Sequence, residues 1–141
     1  MGTSVYEVTV GWGDCDPARI VFYPNYFRWF DDAARHLFAA AGMPWETLFD
    51  TYGVVGLPLV DAQARFLSPA RLGDRLRIET RVKEWRRKAL VLSHRVVNGG
   101  RVVAEGTETR VWATRHPDDP ERLKTGTIPE ELKTRLAAAE Y

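Results

Sequence analysis

Near the start of the chain Tyr6, Val8, Val10 and Trp12 alternate with Glu7, Thr9 and Gly11, a period of two that predicts a half-buried strand ending at Gly13. From Asn25 the period changes. Phe27, Phe30, Ala34, Leu37, Phe38 and Ala41 recur at helical spacing while Arg28, Asp32, Arg35 and His36 fall elsewhere, which predicts a long helix over residues 25–41 with an aromatic inner face. Gly42 and Pro44 supply its stop signals, and a shorter helical segment over 44–52 ends at Gly53.

Beyond Gly53 the period returns to two. Val60, Ala62, Ala64 and Phe66 alternate with Asp61, Gln63 and Arg65; Leu76, Ile78, Thr80 and Val82 alternate with Arg75, Arg77, Glu79, Arg81 and Lys83. Residues 89–97 and 101–114 add two strands across Asn98, Gly99 and Gly100, a strong hairpin signal. Connections this short exclude the crossovers of parallel strands, so the sheet is antiparallel, and the long helix is the element able to cover its apolar face. The predicted fold class is α+β, a five-stranded antiparallel sheet wrapped around one long helix, in a single domain over residues 1–141. Residues 115–126 read as a polar loop, and Thr127 with Glu130 has capping-box spacing for a short terminal helix.

Composition narrows the class. With 45% hydrophobic and 28% charged residues the chain has the balance of a globular protein, and no apolar run approaches the roughly 20 residues that cross a bilayer. Residues 1–8 lack the charged start and apolar core of a secretory signal, so a cytoplasmic location is expected. Cys15 is the only cysteine, which excludes an intramolecular disulfide and the zinc spacings built on paired cysteines. A net charge of +1 gives no global attraction for nucleic acid, so any basic function is local.

Candidate chemistry begins at Asp14-Cys15-Asp16-Pro17. In an extended segment the two carboxylates share one side and the thiol takes the other. One reading is a turn-forming pair after a strand, since Asp-Pro favours turns. The other is catalytic. Pro17 keeps Asp16 out of the helical region, and the segment from Tyr23 to Tyr26 opens a helix whose first amides have no intrahelical partner. A carboxylate facing such amides can attack, or activate water against, a carbonyl whose oxygen the amides hold. Being anionic at neutral pH, it suits the role of nucleophile or base.

Cys15 lies between two anions, which raise a thiol's pKa, so a packing role is expected of it. His36, His94 and His116 form no HExxH pattern or other close ligand spacing, no GxSxG elbow is present, and no metal is expected. Arg86, Arg87 and Lys88 lie between two strands. They read either as a solvated hairpin tip or as a phosphate site, where arginine forks bind oxygens bidentately and lysine adds a point charge.

Six motifs occur in a familiar order: GDCDPA at 13–18, YPNY at 23–26, RWFD at 28–31, PW at 44–45, VVGLPLV at 54–60 and KEWRRK at 83–88. By these the first 115 or so residues resemble the hotdog-fold acyl-CoA thioesterases, and within them the branch acting on 4-hydroxybenzoyl-CoA. The resemblance implies a hotdog fold and hydrolysis of an aromatic, 4-hydroxybenzoyl-CoA-like thioester. Asp16 is then the catalytic carboxylate, either nucleophile through an acyl-enzyme anhydride or general base for water. The backbone N–H of Tyr23 polarises the thioester carbonyl. Asp31, Trp45, Leu57, Pro58 and Leu59 line the acyl pocket, and Arg86, Arg87 and Lys88 hold the CoA phosphates.

No metal or organic cofactor is implied, CoA being part of the substrate, and neither nucleic acid nor membrane is a partner. The assembly implied is a homo-oligomer, dimers paired into tetramers, with active sites at the subunit interface. Three positions depart from the family member compared: Arg19 replaces glycine, Phe27 histidine and Leu57 threonine. The last two make the surroundings more apolar and favour benzoyl, other substituted aryl, phenylacetyl or aliphatic groups. Two other readings share the fold: a thioesterase for short or branched acyl-CoA, and a non-catalytic protein that binds acyl-CoA or an acyl carrier. A hydratase would want a histidine some five residues beyond the aspartate, and none lies between Asp16 and His36.

Overall fold

A computed structural model describes residues 2–139 and 141; Met1 and Glu140 lie outside the described residues. Strand β1 (Ser4–Thr9) leads through a single 3-10 turn (Trp12–Asp14) to helix α1 (Pro24–Ala40), then α2 (Trp45–Tyr52), β2 (Val54–Gly56) and β3 (Leu59–Phe66). There follow β4 (Arg75–Trp85), β5 (Ala89–Asn98), β6 (Arg101–Val111), β7 (Ala113–Arg115), β8 (Leu123–Thr125) and α3 (Glu130–Ala138). The main sheet has the order β1-β4-β5-β6-β3 with every neighbour antiparallel. Its β5–β6 hairpin closes with Asn98 opposite Arg101, and Gly99 takes the positive φ of 62° that this tight turn requires.

Helix α1 begins with Pro24, whose fixed φ suits a first helical position, and stops at Gly42, φ 80°. It buries Tyr26, Trp29, Phe30, Ala33, Ala34, Leu37 and Phe38 against the sheet, so the stripe is broader than the predicted one and leaves Phe27 and Ala41 half-buried at its edge. One core cluster gathers Trp29, Phe30, Ile78 and Val96; a second gathers Leu37, Phe38, Trp45, Leu92 and Trp112. Helix α2 adds Trp45 and Leu48 to the second and ends on Gly53 in the left-handed region.

Among the described residues α1, at 17 residues, is the longest of three helices. Other details differ from the sequence expectation. The strand expected over 101–114 breaks at Trp112, whose ring enters the core, and β7 continues in a second sheet of order β2-β7-β8. The expected polar loop thus contains β8. Three-residue strands are too short for a period to show. The Thr127–Glu130 capping box is not formed: Pro129, extended at φ −60° and ψ 135°, is the N-cap of α3, and buried Leu132 and Leu136 hold that helix down.

Strand β3 is the exposed edge. Val60 and Phe66, predicted to face the core, are 62% and 49% exposed: the strand is an edge of the sheet, and Phe66, although packed on Tyr26 of α1, opens onto a cavity.

Candidate active site

The 3-10 turn and α1 are joined through Asp14. Its side chain accepts from the Gly11 N–H (2.8 Å) and from Arg28 Nη2 (2.9 Å), and its carbonyl accepts from Asn25 Nδ2 (2.8 Å) and the Phe22 N–H (2.9 Å). Asp14 is therefore a brace between β1 and the start of α1, with both carboxylate oxygens committed to the chain.

Asp16 heads the next turn. Its carbonyl accepts from the Arg19 N–H (2.8 Å), its own N–H donates to Ile20 (2.9 Å), and its Oδ1 accepts from the Ala18 N–H (2.8 Å). These three bonds fix the carboxylate from within its own loop, and Oδ2 makes no bond among the described residues. Cys15 points elsewhere: its Sγ–H donates to the Gly11 carbonyl (3.5 Å) and it packs against the Trp29–Phe30 cluster. Desolvation, then the charges of Asp14 and Asp16, push its thiol above the ordinary range.

The half-buried Asp16 borders an apolar cavity of about 600 Å³ whose walls include Tyr23, Tyr26, Phe66, Leu67 and Ala70. At its edge α1 starts. The predicted row of free amides is reduced to one: Pro24 has no N–H, and those of Asn25 and Tyr26 donate to the carbonyls of Phe22 and Tyr23. The Tyr23 N–H is left, with no acceptor among the described residues. A carboxylate oxygen and a lone backbone donor thus meet at one cavity, the pairing that acyl transfer needs.

The other candidates gather elsewhere. Trp45 is buried at the head of α2; Leu57 is buried, Pro58 accepts from the Val111 N–H (3.0 Å), and Leu59 opens β3. Arg86, Arg87 and Lys88 form the β4–β5 turn beside them, where the carbonyls of Arg87 and Lys88 accept from Ile128 (2.8 Å) and Trp112 (2.9 Å). Arg86 is partly committed to Glu84 (3.1 Å), whereas Arg87 and Lys88 form no ion pair among the described residues. Asp16 and Tyr23 sit at the far end of β3, near Phe66 and Ala70. In one chain the two sets therefore lie towards opposite ends of β3.

Asp31 belongs to neither end alone. From the middle of α1 its Oδ1 accepts from Arg110 Nη2 at 2.7 Å, and Arg110 in turn donates to the Leu57 carbonyl (3.0 Å) and to Glu108 (2.9 Å). Sequence reasoning passed over Glu108 and Arg110, and weighed His94 only as a metal ligand. Their signal was there: Glu108 and Arg110 occupy the core-facing phase of β6 with Ala104 and Gly106, where charge needs a partner. Among the described residues no cluster of three or more His, Cys, Asp and Glu is placed to hold a metal, and no helix is long and apolar enough to cross a membrane.

Residues 10–136 match the thioesterase-like superfamily. The chain is 43% identical over 128 residues to the 4-hydroxybenzoyl-CoA thioesterase of Pseudomonas sp. (strain CBS-3), covering 86% of this chain and 89% of that one. It is 29% identical over 136 residues to the 1,4-dihydroxy-2-naphthoyl-CoA hydrolase of Thermosynechococcus vestitus, 95% and 88% of the two chains. Among solved structures, a 4-hydroxybenzoyl CoA thioesterase bearing an aspartate-to-asparagine substitution and complexed with 4-hydroxybenzoyl CoA superposes with a TM-score of 0.85 at 38% identity, over 95% of this chain and 98% of that one.

Proposed function

The chain belongs to the thioesterase-like superfamily, and on that premise we propose that it hydrolyses an aromatic acyl-CoA thioester of the 4-hydroxybenzoyl type to the free acid and CoA, with Asp16 as the catalytic carboxylate. The observation that carries this reading is that Asp16 and Tyr23, whose N–H has no acceptor among the described residues, line one apolar cavity.

The Tyr23 N–H donates to the thioester carbonyl oxygen as negative charge grows there; in other enzymes one such donor contributes about 3 kcal/mol to the transition state. Asp16 Oδ2 either attacks the carbonyl carbon, releasing the CoA thiolate and leaving an anhydride for water to open, or removes a proton from the attacking water. Both routes use the same fixed carboxylate and call on no metal or organic cofactor.

Strand β3 supports the expected homo-oligomer. Its open edge and exposed Val60 and Phe66 suit pairing with a second copy. If two β3 strands pair antiparallel, the Phe66 end of one lies beside the Leu59 end of the other. Asp16 and Tyr23 of one subunit then face Leu57, Pro58, Leu59 and the residue 86–88 cations of its partner, which completes the site at a homo-oligomer interface. A cytoplasmic setting suits the free thiol of Cys15.

The test is hydrolysis of 4-hydroxybenzoyl-, benzoyl- and short aliphatic acyl-CoA, followed with a thiol reagent, for the native protein and Asp16→Asn. Turnover of an aryl ester that the substitution abolishes is the expected result. Equal rates for the two proteins, or tight binding without turnover, would overturn it.

A further inference from the structure

Arg110 is 3% exposed, yet its guanidinium touches three of the residues assigned to the acyl pocket. It donates to Asp31 Oδ1 (2.7 Å) and the Leu57 carbonyl (3.0 Å), it lies over the Trp45 ring at 5.2 Å, and its backbone sits opposite a fourth, Leu59, in the β3–β6 register. We propose that Arg110 is the positioning residue of that pocket, acting through Asp31. This rests on the acyl-pocket assignment made above.

The guanidinium is itself held from the sheet side. Its Nη2 also donates to Glu108 Oε2 (2.9 Å); Glu108 Oε1 bonds His94 Nε2 (2.7 Å), and His94 Nδ1 bonds Thr80 Oγ1 (2.8 Å). The His94 ring lies flat on Phe30, 4.6 Å between centroids and 5° between planes. Three side chains from three strands, with the Phe30 ring of α1 beneath His94, thus set one orientation for the fork. Planar bidentate geometry makes arginine suited to that task, where lysine supplies only a point charge.

Asp31 is the member of this network that reaches the surface: its side chain is 42% exposed against 4% for that of Arg110 and 2% for that of Glu108. With Oδ1 fixed by Arg110, Oδ2 makes no bond among the described residues and is an oriented acceptor. Such an acceptor favours acyl groups carrying a donor, such as a ring hydroxyl, away from the thioester. Two buried donors in the cluster, Arg110 Nε and Trp45 Nε1, have no acceptor among the described residues. A core arranged for stability alone pairs its buried donors.

The experiment compares steady-state kinetics of the native protein, R110K, R110Q, D31N and D31N/R110Q on 4-hydroxybenzoyl-, benzoyl- and acetyl-CoA. R110Q should lose at least about tenfold more in kcat/KM on the hydroxylated aryl ester than on acetyl-CoA, mainly through KM, and its preference for hydroxylated over plain benzoyl should disappear. R110K should recover part of that loss, and D31N/R110Q should be no worse than D31N. Equal losses on all three esters, or additive losses in the double variant, would overturn the positioning role. If R110Q fails to fold, E108Q/R110Q, which removes both buried charges, carries the same comparison. If the native protein turns over none of the esters, the proposed function fails; the positioning role is then read by calorimetry, where R110Q must lose affinity for the hydroxylated ester and unchanged affinity refutes it.

Discussion

The Oδ1 of Asp16 accepts a hydrogen bond from the Ala18 N–H at 2.8 Å, so one carboxylate oxygen is tied to its own turn and the other is left for the cavity. Two residues earlier Asp14 has both oxygens tied, to Gly11 and Arg28. The two acids should respond differently to the same substitution. Asp16→Asn is expected to lower kcat at least about a thousandfold with little change in stability. Asp14→Asn breaks an ion pair whose arginine is largely exposed, a loss of about 1 kcal/mol or less, and should lower kcat less than tenfold. Parallel kinetics and thermal unfolding of the two variants check this; similar kcat losses in both would remove the distinction.

Cys15 is expected to be a slow thiol. Desolvation and the neighbouring Asp14 and Asp16 charges raise its pKa, so less thiolate is present at neutral pH than for a free cysteine. Its alkylation by iodoacetamide should be slow at pH 7.5, with a rate still rising beyond the pH at which free cysteine levels off. A folded-state pKa above the unfolded one also means that its contribution to stability is complete below the ordinary thiol range and is lost as pH rises through it. Fast alkylation at pH 7.5 would contradict this environment.

At the β4–β5 turn the three cations are not equivalent. Arg86 shares its charge with Glu84, while Arg87 is exposed and has no ion pair among the described residues. Arg87→Ala should raise KM for a CoA ester by about tenfold, more than Arg86→Ala, with less effect on a truncated thioester lacking the nucleotide. The turn's backbone is anchored through the Arg87 and Lys88 carbonyls, so neither truncation should unfold it. Equal effects on full-length and truncated esters would make the cluster structural.

The secondary structure was legible wherever an element is long enough to display a period. Helix α1 and β4–β6 announce themselves in this way, and Asn98-Gly99-Gly100 marks its turn. The alternation of β3 was equally clear, but a period says which side chains share a face and not what covers it; Val60 is left exposed and Phe66 lines the cavity beside Tyr26. The nearness of Asp16 to Tyr23 is a local property of one loop. The convergence of Asp31, Trp45 and Leu57 on Arg110 is not, because the hydrogen bonds that make it span 79 and 53 residues and depend on strand order.

Gly106 marks where that packing is tightest. A Cβ there would lie 2.6 Å from the Gln63 carbonyl oxygen and 2.6 Å from the Phe30 ring, the ring on which His94 stacks. Neither the strand backbone nor a fully buried aromatic can yield cheaply. Gly106→Ala is expected to destabilise by about 2 kcal/mol, a Tm loss of roughly 6 °C by calorimetry. A variant as stable as the native protein would mean that β3 and β6 separate with little cost.

Arg19 is the one non-glycine residue with positive φ (63°) among the described residues, at the position where the resemblance expects glycine. Its carbonyl accepts from the Leu72 N–H (3.2 Å) and its N–H closes the Asp16 turn, so its backbone cannot relax without moving the carboxylate. The left-handed conformation costs a side-chain-bearing residue about 1–2 kcal/mol, while stacking of its guanidinium over Trp12 at 5.7 Å returns about 0.5 kcal/mol at an exposed site. Arg19→Gly removes both and adds about 0.7 kcal/mol of unfolded-state freedom, so the opposing effects nearly cancel. Stability should change by less than about 1 kcal/mol, with kcat retained. Arg19→Val keeps the strain, adds β-branching and loses the stacking; it should destabilise by about 1–2 kcal/mol and lower kcat by displacing Asp16. Thermal unfolding and kinetics of the two variants test the account, and a valine variant matching the glycine variant in both would contradict it.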